Sequence, residues 1–341
     1  MRRRRTATVL ALLTVALLAS AVAGLALGPV RIPPGQVLDI LRAGPGPGGG
    51  AFGSIVWDVR MPRVLLGAVV GAGLAVCGTV LQALVRNPLA DPFLLGASSG
   101  ASAGAVLVIV FGAVGILGGV GLPLAAFVGS LVALVAVYAL ARRGTTMTTG
   151  RLILAGVAVQ YVLSAFTSLI LVLSAQPDQV RSVLFWTLGG LGGARWDELA
   201  LPAVALLLGT ALLVTLARPL DLLLAGEEGA RTLGLDAGRF RAGVFVLTSL
   251  VIGVLVAYSG AIGFVGLMVP HAARMVVGAG HRALLPVSAL AGAVFLSLAD
   301  LLARTAAAPE EIPVGVVTAL VGGPFLLWML RRSTRTEGIT G

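Results

Sequence analysis

The sequence carries one long polar segment, residues 222–241, between two long apolar runs in its second half. The segment reads LLLAGEEGARTLGLDAGRFR, and its ionisable residues are Glu227, Glu228, Arg231, Asp236, Arg239 and Arg241. Four glycines divide it into short pieces, which predicts two short helices joined by tight turns. Such a polar segment between apolar runs must lie in water, where its charged side chains can bind a soluble protein.

Composition sets the class of protein and excludes several activities. Of the 341 residues, 58% are hydrophobic and only 11% are charged, so the chain is predicted to be an integral membrane protein, because soluble domains carry about 25% charged residues. All 24 cationic residues are arginines, and the lack of lysine excludes a Walker A loop and lysine-dependent catalysis. The single cysteine, Cys77, lies in an apolar run and is expected to pack there, and no metal site is predicted.

Hydropathy predicts an all-α polytopic protein that forms one domain over residues 1–341. Its parts are a first span within residues 1–28, an extracytoplasmic segment at 29–57, and a core at 58–332. The extracytoplasmic segment is expected to hold a short amphipathic helix at Gly35–Arg42 and a flexible Gly/Pro linker at Ala43–Gly53. Ten transmembrane helices are predicted, at roughly 6–28, 64–84, 94–117, 120–141, 152–174, 199–217, 242–258, 261–277, 284–303 and 314–330.

The arginines predict the orientation of these spans. Arg2–Arg5 precede the first span, and most of the other arginines fall on the same side of the predicted membrane. Topology therefore explains the net charge of +10 better than nucleic-acid binding does. Both termini are predicted to lie in the cytoplasm, and the 222–241 segment falls on that side, between the sixth and seventh spans.

Several short motifs resemble those of one family in the same order. They are Arg60-Met61-Pro62-Arg63, the stretch Asn87–Pro92 (NPLADP), Arg151–Gly156 (RLILAG), Gly260–His271 (GAIGFVGLMVPH), Leu298–Arg304 (LADLLAR) and Ile312–Thr318 (IPVGVVT). Together they resemble the iron-chelate and cobalamin permease family of ATP-binding-cassette (ABC) importers. The resemblance implies a homodimer, or a dimer with a paralogue, that binds two cytoplasmic ATPase subunits and an extracytoplasmic substrate-binding protein. It implies no cofactor in this chain, since ATP and Mg would be bound by the ATPase.

The resemblance gives the polar segment a function. Residues 222–241 are similar to the family's two cytoplasmic coupling helices, which fit a cleft of the ATPase. Leu233 would be the apolar anchor beside Gly234, and Glu227, Glu228 and Arg231 would supply polar contacts. The alternative is an ordinary solvated loop.

Arg60, Arg63 and Arg304 are among the seven arginines that fall on the predicted outer side, against the prevailing charge bias. The resemblance implies that Arg60, Arg63 and Arg304 receive acidic residues of the binding protein, a role that suits exposed guanidinium groups. For Arg304 there is a local alternative, because Asp300 lies one helical turn earlier and can pair with it.

Two predicted cytoplasmic loops are similar to the inner gate of the related cobalamin permease. They place Asn87 and Leu89 on one loop and Thr149 and Gly150 on the other. Gly150 departs from the relative, which has a hydroxyl residue there. The alternative is that both loops are simple connections between spans.

Glycines and a proline interrupt the apolar run Gly260–His271. Such breakers free backbone groups that need partners inside the protein, so this span is predicted to be buried rather than lipid-facing. His271 is expected to be structural rather than a haem or metal ligand.

The sequence thus predicts the permease of a type II ABC importer, whose cargo is taken first as a ferric siderophore, with haem or cobalamin as alternatives. An ion-coupled secondary transporter would need an ionisable group in mid-membrane. Asp300 is the acidic residue well inside a predicted span, and Arg304 is its expected partner. A membrane enzyme is a third hypothesis, but the spans hold no HExxH motif, nucleophile elbow or paired carboxylates.

Overall fold

The computed structural model describes residues 2–46, 50–112, 118–143, 146–147, 149–224, 226 and 234–337. These residues are helical apart from connecting loops and one small antiparallel pair, β1 (Arg142–Arg143) with β2 (Thr146–Met147). The helices are α1 (Arg2–Ala26), α2 (Pro34–Ala43), α3 (Gly50–Ser54), α4 (Met61–Val85), α5 (Ala97–Val110), α6 (Gly121–Ala141), α7 (Thr149–Ser174), α8 (Pro177–Thr187), α9 (Ala200–Thr215), α10 (Ala217–Leu224), α11 (Ala237–Ser259), α12 (Val265–Val277), α13 (His281–Thr305) and α14 (Val314–Glu337).

Seven helical stretches of the described residues are long and apolar enough to cross a membrane. They are Arg4–Ala26, Phe52–Val85, Gly121–Ala141, Gly150–Ser174, Trp196–Thr215, Ala237–Ser259 and His281–Thr305. Three shorter apolar helices, Ala97–Val110, Val265–Val277 and Val314–Met329, fall within the other three predicted spans. The prediction of a polytopic helical membrane protein is therefore confirmed.

Two spans are shorter than predicted, because the backbone breaks at their starts. Gly96, with a φ of +81°, precedes α5, which begins at Ala97 rather than near 94. Phe264, a non-glycine residue with a φ of +68°, precedes α12, which begins at Val265 rather than near 261. The break at Phe264 is held by a distant residue, because its N–H donates to Asp91, and neither break leaves a hydropathy signal.

The segment before α4 differs from the predicted flexible linker in its second half. Residues 50–54 form α3, which continues through a π-helical turn, Ile55–Arg60, into α4. The amphipathic helix expected at Gly35–Arg42 is confirmed as α2, which buries Val37 and Ile40. Helix α8 lies where hydropathy predicts an outer loop.

Helix α4 lies at the centre of the fold and is buried along nearly all of its length. It crosses α13 with glycine against glycine, so a Cβ added to Gly71 would lie 2.2 Å from the carbonyl oxygen of Gly292. Helices α5 and α6 meet in the same way, because a Cβ added to Gly100 would lie 2.3 Å from the Gly129 oxygen. Small residues that allow this approach hold helices together in lipid by close packing.

A side chain of α4 replaces a hydrogen bond that Pro270 removes from α12. Proline has no N–H for the carbonyl four residues earlier, which is that of Gly266. The side-chain amide of Gln82 donates to the oxygens of Gly266 and Leu267 at 3.3 and 3.1 Å, and its own oxygen accepts from Arg274 at 3.0 Å. The first half of α12 is buried, as predicted for this interrupted span.

Candidate functional site

Five ionisable residues meet where α4 begins and α13 ends, and we call Arg60, Arg63, Asp300, Arg304 and Glu311 the arginine cluster. Arg63 lies at its centre, because its Nε bonds both Asp300 oxygens at 2.9 and 3.1 Å and its Nη2 lies 2.9 Å from Asp300. The third nitrogen, Nη1, donates to both oxygens of Glu311 at 3.0 and 2.9 Å. Arg63 thus binds two carboxylates with its whole guanidinium fork.

The other two arginines bind the end of α1. Arg60 donates to the backbone oxygens of Leu25 and Val30, and Arg304 donates to the oxygen of Gly24 at 2.7 Å. The last carbonyls of a helix lack partners within it and carry partial negative charge, so cationic donors suit them. Arg304 also lies 3.5 Å from Asp300, which is the local ion pair given above as the alternative.

The arginine cluster corrects the expectation that these arginines are exposed. Arg60, Arg63 and Arg304 are 4%, 7% and 3% exposed, and each has partners inside the chain. Exposure could not be judged from sequence, because the partners are distant in the chain: Glu311 from Arg63, and the end of α1 from Arg60 and Arg304. Docking by these residues stays a prediction, and it requires that a partner's group reach a guanidinium already engaged.

A cavity of about 490 Å³ opens beside the cluster. Arg63 and Glu311 line it together with Trp186, Tyr258 and the glycine-rich turn 189–193. Glu311 is 43% exposed at its side chain, whereas Asp300 is 3% exposed. Of the two carboxylates on Arg63, only Glu311 therefore faces water.

The first predicted gate loop is a folded turn between α4 and α5. Arg86 ends α4 in the left-handed conformation, and the Asn87 side chain accepts from the backbone N–H of Leu89 at 2.9 Å. Asp91 accepts from the N–H of Phe93 at 3.0 Å with one oxygen and from that of Phe264 at 3.2 Å with the other. Asp91 thus ties this loop to the backbone break before α12, a link that no local pattern predicts.

Burial raises the pKa of Asp91 to about 6, although its two amide donors favour the charged form. Because the folded protein keeps a proton that the unfolded chain releases, the stability from this group is present below about pH 4 and is lost as pH rises through about 6. We expect Asp91→Asn to remove this dependence. The free energy of unfolding of the variant, measured relative to that of the wild type, should therefore rise by roughly 3 kcal/mol between pH 4 and pH 7.

The measurement is thermal unfolding in detergent, followed by tryptophan fluorescence at several pH values between 4 and 7. Asp39→Asn, in the exposed Asp39–Arg42 pair, is the control and should follow the wild type. Parallel curves for wild type and Asp91→Asn would contradict the prediction.

The second predicted gate loop and the predicted coupling segment are described only in part. Thr149 begins α7, and Gly150 is exposed with nothing within 4 Å of an added Cβ. Glu227, Glu228, Arg231 and Leu233 lie outside the described residues, and Gly234 forms a turn with a φ of +81°. Their roles in the gate and in coupling stay predictions.

Helix α10, which leads into the predicted coupling segment, is fixed to α13. Asp221 of α10 accepts from the backbone N–H of His281 at 3.0 Å, and the same oxygen lies 2.6 Å from Nδ1 of its imidazole. His281, which begins α13, is 1% exposed. No local pattern signals this contact, because the two residues are 60 positions apart in the chain.

His271 packs its ring edge-on against Phe325, with the ring centroids 5.9 Å apart. Among the described residues, no group of three or more His, Cys, Asp or Glu residues lies close enough to hold a metal ion.

The fold is that of a multi-pass helical membrane protein, and comparisons with known proteins give its family. The profile of the FecCD transport family matches residues 13–332. A cobalamin import system permease protein of Halobacterium salinarum is 49% identical over 279 residues, which cover 81% of this chain and 73% of that protein. A hemin transport system permease protein of Yersinia pestis is 45% identical over 281 residues, or 81% and 83% of the two chains.

A solved structure agrees over almost the whole length. A metal-chelate type ABC transporter in an inward-facing conformation superposes with a TM-score of 0.81 at 32% identity, covering 96% of this chain and 99% of that one. The chain belongs to the FecCD transport family. It is an ABC-transporter permease subunit of the cytoplasmic membrane and not an enzyme, and ATP is hydrolysed by a separate ATPase subunit.

Proposed function

We propose that this permease, the membrane subunit of a type II importer for metal chelates, carries a metal tetrapyrrole such as cobalamin or haem. The observation that carries the proposal is the match to a cobalamin permease and a hemin permease at 49% and 45% identity, each over 81% of the chain. A ferric siderophore, the first expectation from sequence, stays the second candidate, because it shares the bulk and the bound metal that such a permease must accommodate.

The proposed assembly is a dimer of ten-span subunits with both termini in the cytoplasm. Seven long apolar helices and three shorter ones within the remaining predicted spans support that number. The ABC-transporter relatives support two ATPase subunits, which bind the ATP and Mg, and an extracytoplasmic binding protein that delivers the chelate. In this orientation the arginine cluster lies on the outer side and the Asp221–His281 contact on the cytoplasmic side.

The proposed mechanism is alternating access without bond breakage in this chain. Glu227, Glu228, Arg231, Leu233 and Gly234 transmit closure of the ATPase, and the fixed position of α10 on α13 supports a stiff connection there. Asn87 and Leu89, with Thr149 and Gly150, form the cytoplasmic gate, and the folded turn at 87–91 can move as a unit.

Uptake into proteoliposomes tests this function. The full chain is reconstituted with its ATPase and binding protein, and cyanocobalamin, haemin and a ferric hydroxamate are offered separately. We expect ATP-dependent uptake of a tetrapyrrole that vanadate stops and an uncoupler leaves unchanged. Preferred uptake of the hydroxamate would replace the cargo with a siderophore. Uptake that survives vanadate but collapses with an uncoupler would contradict the whole mechanism.

A variant with Glu227, Glu228 and Leu233 changed to alanine adds a test of coupling in the same experiment. It should lose uptake and release the ATPase during purification, while the permease stays folded. The exposed Asp197→Ala, in the pair with Arg195, is the matched control and should keep both. Stoichiometric ATPase retained by the triple variant would contradict the coupling assignment.

A further inference from the structure

A second cavity, of about 540 Å³, opens between the start of α1 and the turn that joins α12 to α13, and we call it the α1–α13 cavity. It lies at the opposite ends of α1 and α13 from the arginine cluster. The residues that line it are Thr6, Ala7 and Leu10 of α1, with Val277, Gly280, Arg282 and Ala283 of the turn and the helices on either side of it.

The charge around the α1–α13 cavity is positive. Of the residues that line it, Arg282 is ionisable and exposed, and none is acidic. Arg4 and Arg5, in the first turn of α1, are exposed as well. Asp221 contacts the neighbouring His281, but one of its oxygens is already occupied by the backbone N–H and the imidazole of that residue. Three arginines outweigh this carboxylate, so the cavity attracts an anionic group.

The surfaces that adjoin the cavity are apolar and exposed. Met275 and Val276, which precede the lining residue Val277, are 50% and 40% exposed. Most of the Arg4–Ala26 span is exposed too, and Leu12 is 65% exposed. Large exposed apolar side chains on a membrane protein mark surfaces that contact lipid chains. A ligand that fits this place therefore combines an anionic group with apolar chains, and an anionic phospholipid has both.

We propose that the α1–α13 cavity binds the headgroup of an anionic phospholipid, whose phosphate pairs with Arg282 and whose acyl chains lie against α1 and the end of α12. A guanidinium group suits this ligand, because its planar fork of donors matches two phosphate oxygens. The bound lipid connects α1 to α13 at the end of the fold where α10 contacts His281. The inference is independent of the cargo and needs only that the chain lies in a bilayer.

Native mass spectrometry of the purified full chain in detergent tests the charge of the site. Dioleoylphosphatidylglycerol and dioleoylphosphatidylcholine are added separately, because they share their acyl chains and differ in headgroup charge. We expect the first phosphatidylglycerol to bind more tightly than the first phosphatidylcholine. Arg282→Gln should weaken phosphatidylglycerol binding about fivefold, the effect of one basic residue at a membrane surface. The control Arg218→Gln removes an equally exposed arginine, at the start of α10 and outside the cavity lining, and should change the Kd much less.

A second pair of variants tests the shape of the site without changing its charge. Ala7 and Ala11 are both exposed and lie one helical turn apart on α1, but only Ala7 lines the cavity. Ala7→Phe should therefore weaken phosphatidylglycerol binding, and Ala11→Phe should not. Glycerol 3-phosphate, a soluble fragment of the headgroup, should fail to displace the lipid, because it lacks the chains that contact the apolar surfaces.

Equal Kd values for the two lipids would overturn the proposal. Equal weakening by Arg282→Gln and Arg218→Gln would do so as well, because it would reduce the preference to general surface charge. Equal effects of phenylalanine at positions 7 and 11 would place the lipid outside the cavity. Displacement by glycerol 3-phosphate would make this a site for a soluble phosphate and not for a lipid.

Discussion

Asp300→Ala is expected to lower the free energy of unfolding by about 3–5 kcal/mol, because it leaves two buried guanidinium groups without their shared carboxylate. Asp300 accepts hydrogen bonds from Nε of Arg63, lies 2.9 Å from Nη2 of the same guanidinium and lies 3.5 Å from Nε of Arg304. Both arginines are buried, and Arg304 is also bound to the end of α1. The variant should therefore loosen α1, α4 and α13 from one another together.

The single cysteine provides the measurement. Cys77 is fully buried, so a thiol-reactive fluorophore labels the purified full chain only as it unfolds. Melting curves of Asp300→Ala are compared with those of Asp39→Ala, which breaks a pair whose side chains are 75% and 79% exposed. The exposed pair should change stability by less than about 1 kcal/mol. Similar curves for the two variants would show that the buried pair contributes no more than a surface pair.

The features that sequence predicts correctly depend on neighbours in the chain. Asp300 and Arg304 are one helical turn apart, and their spacing alone predicts the pairing that stands as the alternative to docking. The glycines and Pro270 of the GAIGFVGLMVPH motif signal freed backbone groups within their own span, and the burial of that span is confirmed. Continuous apolar runs predict the long spans for the same reason.

The features that sequence does not predict depend on contacts between distant residues. Arg63 and Glu311 are 248 positions apart, and neither position carries a local sign of the other. The contact between Asp91 and Phe264 likewise joins two loops 173 positions apart, at the backbone break that shortens α12 relative to its hydropathy. Arginines on the predicted outer side are expected to be exposed, because composition and topology contain no information about which partners bury them.

Gly78→Ala should produce the second large effect, through the packing of α4 on α12. The added methyl carbon would lie 1.9 Å from the carbonyl oxygen of Gly266, which is the oxygen that Pro270 leaves free and Gln82 binds at 3.3 Å. The clash is with backbone, so a rotamer change cannot relieve it and the two helices must separate. Overpacking of a core typically costs about 1–3 kcal/mol, and we expect Gly78→Ala to reach or exceed the top of this range.

Gly243→Ala is the matched control for this change. Gly243 lies inside α11 with nothing within 4 Å of an added Cβ, so alanine there should leave stability unchanged or raise it by up to about 1 kcal/mol through better helix propensity. The same thiol-labelling melts apply to both variants. Separation of α4 and α12 also breaks the Gln82 contacts and shifts the start of α12, which Asp91 ties to the predicted gate loop. The Gly78→Ala variant should therefore lose uptake even at temperatures where it is still folded. A variant as stable as wild type would mean that α12 can move away from α4 without cost, which would contradict the prediction.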